Sequence, residues 1–351
     1  MAEKYLTENP SLTIDETIKA LNPDQVLIVT DFNVRDKVLP GFTESSILKE
    51  FPCIALPVGE EGKGLETVVS IWNKLEEIGA TRRTIVLNIG GGVVTDLGGF
   101  AASAFKRGIR TVNFPTTLLG AVDAATGGKT GINYNGLKNE IGAFHMPERV
   151  IVSAFPFRSL PKEEILSGYA EMIKTALISD KGFYFKLLDF DRITGNSSEL
   201  GLAVEKCVQI KDAVVEQDPQ EKGLRKILNF GHTGGHAFES IRFELGNSVS
   251  HGKAVAHGML LSLILSHLKL GFDSNELNHY RNFLKTYYGG ALISCDYIDK
   301  AITKMSSDKK NEKFGEIAFT LLKEIGEPEI NCKLSSEDVK KGLEIYIDLA
   351  S

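Results

Sequence analysis

Paired cysteines are the first thing this sequence does without. Its four, Cys53, Cys207, Cys295 and Cys332, are scattered with no C-x-x-C spacing, which argues against a disulfide framework and against a zinc knuckle. That usage fits a reducing compartment, and a cytoplasmic location is expected. Long apolar runs are missing too: the most apolar stretch, Met259 to Leu265, is far shorter than the roughly eighteen residues of a membrane span. The opening segment, Met1 to Pro10, has none of the apolar core of a signal peptide. A general positive field is also absent. With 40 Lys and Arg against 46 Asp and Glu the net charge is −6, so neither nucleic acid nor an anionic membrane is an expected partner. An anionic ligand would need cations gathered at one spot. Internal repeats and low-complexity tracts are lacking as well.

What is present starts with length. The 351 residues suit about two domains, each with a sizeable core. The chain commits itself between Thr84 and Asn139. Thr84 to Ile89 is a short β-branched run of the kind that forms a strand covered on both faces. Gly90-Gly91-Gly92 follows at once, and Val93–Phe105 reads as a helix. Its first N–H groups, behind glycines that let the backbone come close, make a phosphate cradle. The run is not a strict G-x-G-x-x-G, because Thr95 stands at the last glycine position. A second strand, Arg110 to Phe114, ends at Pro115. Thr116, Thr117, Asp123, then Gly127-Gly128-Lys129-Thr130-Gly131 and Lys138-Asn139 follow. Asp and Lys set among Gly, Ala and Thr make poor core material and read as a ligand-facing loop.

Gln25–Val29 is another strand, with Asp31 and Asn33 just past its C-terminal end, the edge where doubly wound sheets bind nucleotides. Cys53–Leu56 is the next, followed by a polar turn holding Glu60 and Lys63. Val68–Ile78 is an amphipathic helix with Val68, Ile71, Leu75 and Ile78 on one stripe. After Leu160-Pro161 helical periods take over: Pro161–Ser179, Glu199–Gln217, Leu224–Ser240, His251–Leu270 and Asn275–Tyr287. The expected fold is an α/β dinucleotide-binding domain with a largely parallel sheet over residues 1–160, and an all-helical metal-binding domain over 161–351.

In the helical half, Glu171, His232, His236 and His251 invite a metal. One carboxylate and two imidazoles leave a fourth zinc position for water or substrate, the arrangement of a catalytic site. Spacing alone pairs His232 with His236, four apart beside glycines. The plain alternative for Glu171 is a surface ion pair with Lys174 at i+3. His145, His257, His267 and His279 read as structural.

Taken together, Gly90 to Phe100, Pro115 to Leu119, Asp123 through Asn133, Lys138-Asn139, Ala170 to Lys174, Leu228 to His232 and His251 to Val255 resemble 3-dehydroquinate synthases. The resemblance spans nearly the whole chain in order. It implies Glu171, His232 and His251 as the ligands of zinc, or of cobalt in its place, with His236 facing substrate instead. It implies NAD along Asp31, Asn33, Glu60 and Lys63, then Gly91, Gly92, Val93 and Asp96, then Thr116, Thr117 and Leu119, with Lys129 and Lys138 shared with the substrate. The implied catalytic residues are Asp123, Lys129, Lys174, Glu221, Asn229 and His236. Substrate binding falls to Arg107, Lys129, Lys138, Asn139, Lys211, Arg225 and Lys309, Arg107 reaching across a homodimer interface and Lys309 competing with Lys310 for its role. The implied substrate is a seven-carbon keto-sugar acid phosphate, seated between the domains.

Such a substrate carries a carboxylate and a phosphate, which explains a cationic cluster in an acidic protein. The implied chemistry is transient oxidation by NAD, phosphate elimination, return of the hydride and intramolecular aldol closure. Two other readings share parts of this plan. A sibling sugar phosphate cyclase would alter the carboxylate end, and a zinc polyol dehydrogenase would consume NAD stoichiometrically and have no use for the cations.

Overall fold

The computed structural model describes residues 3–306 and 317–351, apart from positions 43, 46 and 136. It divides into two compact units: Met1–Pro161 with Asn196–Val208, and Lys162–Gly195 with Gln209–Ser351.

The first unit is built on strands β1 (Glu3–Leu6), β2 (Val26–Asp31), β3 (Cys53–Leu56), β4 (Ile85–Gly90), β5 (Arg110–Pro115) and, after a hairpin of β6 (Lys129–Tyr134) and β7 (Leu137–Phe144), β8 (Arg149–Val152). Six of them form one sheet in the order β1-β8-β5-β4-β2-β3, with every neighbouring pair parallel. A parallel sheet needs cover on both faces, and the alternation of side chains supplies it. Val26, Ile28, Ile85 and Leu87 pack with Ile14 and Ile18 of the Pro10–Leu21 helix. Their neighbours Leu27, Val29 and Val86 pack the other way, with Val68 and Ile71 of the Leu65–Glu77 helix and Leu97 of the Gly92–Ala104 helix. Each such side chain contributes about 1.5–3 kcal/mol on burial.

From β2 the chain goes outward to β3, while β4 leads the opposite way to β5. The reversal falls between β2 and β4, and the crevice beyond their C-terminal ends is where open α/β sheets take ligands. Thr30 Oγ1 donates to Ile89 O at 2.7 Å, tying those two strand ends together.

The stretch expected to be a loop around Lys129 and Lys138 is the β6–β7 antiparallel hairpin. Gly131 and Gly142 sit opposite each other in it; a Cβ on Gly142 would lie 2.2 Å from Thr130 O. Glycines that serve close strand approach look, in sequence, like turn glycines.

The second unit is mostly helical: Lys162–Leu177, His232–Glu244, His251–Leu270, Ser274–Tyr287 and Ser336–Ala350 are its longer helices. It is not all helix, as the sequence suggested. β9 (Ile317–Glu324) and β10 (Glu327–Leu334) form an antiparallel hairpin, turning at Gly326 with φ +94. The expected Leu224–Ser240 helix is also broken. Leu224–Asn229 is a 3-10 turn, and Gly231, at φ +78, interrupts the chain before the helix that starts at His232. A left-handed residue cannot continue a right-handed helix. The hairpin braces the 3-10 turn: Thr320 Oγ1 donates to Lys226 O at 3.1 Å, and Leu322 N donates to Ser266 Oγ at 2.9 Å on the His251–Leu270 helix.

Candidate active site

In the first unit the candidate residues collect at the C-terminal edge of the sheet. Asp31 ends β2, and its carboxylate accepts from Val34 N at 2.9 Å, capping the next turn. Burial pushes the Asp31 carboxyl up from its ordinary value. Asn33 is exposed in that turn. Beyond β4, Gly91 and Gly92 open the Gly92–Ala104 helix, whose N–H groups face outward from its first turn. A side chain on either glycine would press on the next loop: a Cβ at Gly91 would lie 3.0 Å from Thr117 and one at Gly92 3.1 Å from Ala124. Val93 and Leu119 are half-buried, Thr116 is buried, and Thr117 Oγ1 accepts from Gly120 N at 3.0 Å.

Lys63 is fixed at this edge by two partners. Nearly buried, its ammonium donates to Asp96 Oδ2 at 2.6 Å and to Asn139 Oδ1 at 2.7 Å. Asp96 is held up to about 6 by burial, with Lys63 pulling the other way. Glu60 accepts from Asn133 Nδ2 at 2.8 Å. Lys129, Lys138 and Asn139 lie on the exposed hairpin, Asp123 is half-buried at the end of the Leu118–Val122 helix, and Arg107 is exposed in a tight turn at φ +66. Lys309 and Lys310 lie outside the described residues.

The second unit brings its candidates together by unusually close helix packing. Gly258 sits where a Cβ would lie 2.0 Å from Gly231 O and 2.4 Å from Gly235 N. Gly252 likewise faces Ser167, with a Cβ falling 2.0 Å from its carbonyl oxygen. Without side chains at these contacts, the His232–Glu244, His251–Leu270 and Lys162–Leu177 helices approach until Glu171, His232 and His251 meet.

Glu171 is 1 % exposed, and the Lys174 ammonium pairs with its Oε2 inside the helix packing, so the surface ion pair is excluded. Its Oε1 lies 3.6 Å from His232 Nε2 and 3.9 Å from His251 Nε2 and has no hydrogen-bond partner among the described residues. Both imidazoles are oriented from behind. His232 Nδ1 stands 3.2 Å from Phe230 O and His251 Nδ1 stands 3.1 Å from Glu239 Oε2. An acceptor at Nδ1 fixes the proton there and leaves the Nε2 lone pair pointing toward a carboxylate oxygen. Two nitrogen lone pairs and a buried anion facing one another across a gap too wide for hydrogen bonds are what a divalent cation satisfies. His236 is exposed beside them, its ring centre 5.4 Å from that of His232 and 5.8 Å from that of His251. The three histidines place nitrogens within 4.8 Å of one another, so distance does not separate His236 from the others. The outer partner Glu239 went unnoticed in the sequence; its signal was the seven-residue step from His232 along one helix face.

The remaining polar candidates are firmly placed. Arg225 is buried, with its N–H donating to Asp218 Oδ2 at 3.1 Å and Nη1 to Pro219 O at 2.9 Å. Asn229 Nδ2 donates to Glu221 Oε1 at 2.7 Å, and Glu221 reaches it from a left-handed backbone at φ +59. Lys211 is buried.

A doubly wound parallel sheet with a glycine turn at its switch point, and a helical unit with a carboxylate and histidines converging on one gap, define a class: enzymes that join a dinucleotide fold to a metal-type centre. Among solved structures the fold matches 2-deoxy-scyllo-inosose synthase complexed with carbaglucose-6-phosphate, NAD+ and Co2+, with TM-score 0.84, 24% identity and coverage of 98% of this chain and 96% of that one. It matches equally well, with TM-score 0.84, 23% identity and coverage of 99% and 97%, the 2-epi-5-epi-valiolone synthase of Streptomyces hygroscopicus with NAD+ and Zn2+ bound. The 3-dehydroquinate synthase N-terminal family model matches residues 53–167 and the C-terminal model residues 168–311. The 3-dehydroquinate synthase of Parabacteroides distasonis is 43% identical over 333 residues, 95% of this chain and 94% of that protein. The chain belongs to the 3-dehydroquinate synthase family.

Proposed function

We propose that the chain converts 3-deoxy-D-arabino-heptulosonate 7-phosphate to 3-dehydroquinate and phosphate. In this reading Glu171, His232 and His251 hold a divalent ion, zinc or cobalt, and the crevice beyond β2 and β4 holds NAD. The observation that carries it is the buried Glu171 Oε1 facing two oriented Nε2 lone pairs at 3.6 and 3.9 Å, in a family member matched along both halves. When bound, the ion polarises a ring hydroxyl and NAD accepts and returns its hydride.

The chain's own residues do the rest. The glycine turn of Gly91 and Gly92 takes the pyrophosphate at a helix start, with Val93, Thr116, Thr117 and Leu119 around it. Asp31, Asn33, Glu60, Lys63 and Asp96 bound the remainder of the cofactor. Arg225, anchored at both its backbone and its guanidinium, grips the substrate carboxylate with parallel hydrogen bonds. Lys129, Lys138 and Lys211 present point charges to the phosphate, with Lys309 a further candidate. Lys174 balances the buried Glu171 charge and contacts the substrate. Asn229, oriented by Glu221, and Asp123 position the sugar hydroxyls, and Asn139 adds a contact from the hairpin. His236 carries a proton at the substrate. The departing phosphate can accept the proton of the elimination itself, so few strong bases are needed. The enzyme works as a cytoplasmic homodimer, with Arg107 offered to the second subunit.

Supplying the phosphorylated seven-carbon acid with NAD far below substrate and following inorganic phosphate tests the reading. Release that continues past one turnover per NAD, stops after dialysis against a chelator and returns with zinc or cobalt is expected. Stoichiometric NADH build-up without phosphate release would instead mean a polyol dehydrogenase.

A further inference from the structure

One polar residue of the hairpin, Asn133, carries no role in the function proposed above, yet binds both the Glu60–Lys63 turn and the opposite strand. Asn133 sits in β6 where the register with β7 slips: Ile132 pairs with Ile141, but Tyr134 pairs with Leu137. Asn133 alone therefore stands opposite Lys138, Asn139 and Glu140, and β7 bulges there. Bulges re-aim side chains and are frequent next to active sites. Asn139 takes a left-handed backbone at φ +53 within the bulge, a conformation that Asn tolerates better than most residues.

Four contacts radiate from Asn133. Its backbone N–H leaves the hairpin and donates to Lys63 O at 2.7 Å. Its Nδ2 donates to Glu60 Oε2 at 2.8 Å and, at longer range, to Glu60 O at 3.4 Å. Its Oδ1 accepts from Asn139 N at 3.1 Å. A carboxylate can only accept and a backbone N–H can only donate, so a single amide orientation satisfies both side-chain bonds. Aspartate would turn a lone pair toward Glu60, and alanine would serve neither partner. The loop so formed closes through Lys63, whose ammonium joins Asn139 Oδ1 to Asp96.

We propose that Asn133 is a positioning residue that locks the bulged Lys138–Glu140 segment onto the Glu60–Lys63 turn, and so presets Lys63 for a bound dinucleotide, with Asn139 held beside it for the substrate. The inference rests on the reading of this edge as the NAD site. Asn133 is not itself a proposed ligand contact; it holds residues that are.

The test is calorimetric titration of NAD+ into the intact protein and into Asn133→Ala and Asn133→Asp, alongside amide hydrogen exchange of the hairpin. Asn133→Ala is expected to weaken NAD+ binding about tenfold, the loss of roughly one net hydrogen bond's worth of preorganisation, with faster exchange at the Asn139 amide. Asn133→Asp, nearly isosteric, keeps the acceptor for that amide and so its protection, yet still binds NAD+ more weakly because it repels Glu60. Unchanged affinity in both variants would overturn the inference, as would an Asn139 amide that exchanges at the same rate in Asn133→Ala. A wild-type protein that binds no NAD+ at all would instead sink the proposed cofactor, a separate result.

Discussion

Glu239 offers the most direct test of the histidine cluster, because it touches His251 from behind and lies outside the proposed ligand set. Its Oε2 is 3.1 Å from His251 Nδ1, so removing it takes away the acceptor that fixes the proton on that nitrogen. Partners of this kind typically change metal affinity by 10- to 100-fold, which corresponds to about 1.4–2.7 kcal/mol. Glu239→Ala should therefore weaken zinc binding by that factor while leaving the fold intact, since Glu239 is half-buried on a helix face and fills no core position. Glu239→Gln, which can still offer an oxygen, should lose less. Competition against a chromophoric chelator measures the affinity, and turnover at saturating zinc should recover most of the wild-type rate. If Glu239→Ala holds zinc as tightly as the parent, the argument from oriented imidazoles fails, and with it the main support for a metal between Glu171, His232 and His251.

Lys129→Ala should reduce kcat/KM for phosphate release by about ten- to a hundredfold, the range for a lost hydrogen bond to a charged group; an unchanged value would remove Lys129 from the site. Gly258→Ala puts a Cβ 2.0 Å from Gly231 O, and forcing the two helices apart should cost about 1–3 kcal/mol, read as a lower Tm together with poorer zinc retention. His257 is buried against Tyr346, and burial, reinforced by Lys253, holds its imidazole down to about 3. A depressed imidazole contributes stability that is full above its unfolded value of about 6.5 and drains away as pH falls toward 3. His257→Gln should consequently lose less stability than wild type between pH 6.5 and 5, by about 2 kcal/mol at one proton per site, in denaturation measured at matched temperature. Parallel losses in the two proteins would contradict the burial argument.

The parts of this fold that were legible in the sequence are those where burial dictates composition. His251–Leu270 matches the observed helix to the residue, because a helix buried nearly all round has little freedom in what it contains, and Cys53–Leu56 matches an edge strand to the residue, its ends set by Pro52 and Pro57. Strand β1, Glu3–Leu6, mixes charged with partly exposed apolar residues and carried too little pattern to be seen. Both hairpins were missed for a different reason: their glycines and polar residues serve tight strand approach and bulging, and imitate loop chemistry. At the site, the close helix contacts explain why glycines surround His232 and His251, something that periodicity could not reveal. Glu239 and Asn133 were hidden because each acts on another side chain, and only coordinates show which one.

The β9–β10 hairpin has a consequence for specificity. Arg225 and Asn229 ride on a 3-10 turn, which lacks the repeating i→i−4 ladder that gives an ordinary helix its stiffness. Rigidity at the turn proposed to grip the carboxylate is borrowed instead from Thr320, which bonds Lys226 O from 94 positions further along the chain, and from a strand itself moored to the buried His251–Leu270 helix. If Arg225 and Asn229 hold the substrate as proposed, exchanges on that strand would shift which acids are accepted while every proposed contact residue stays as it is.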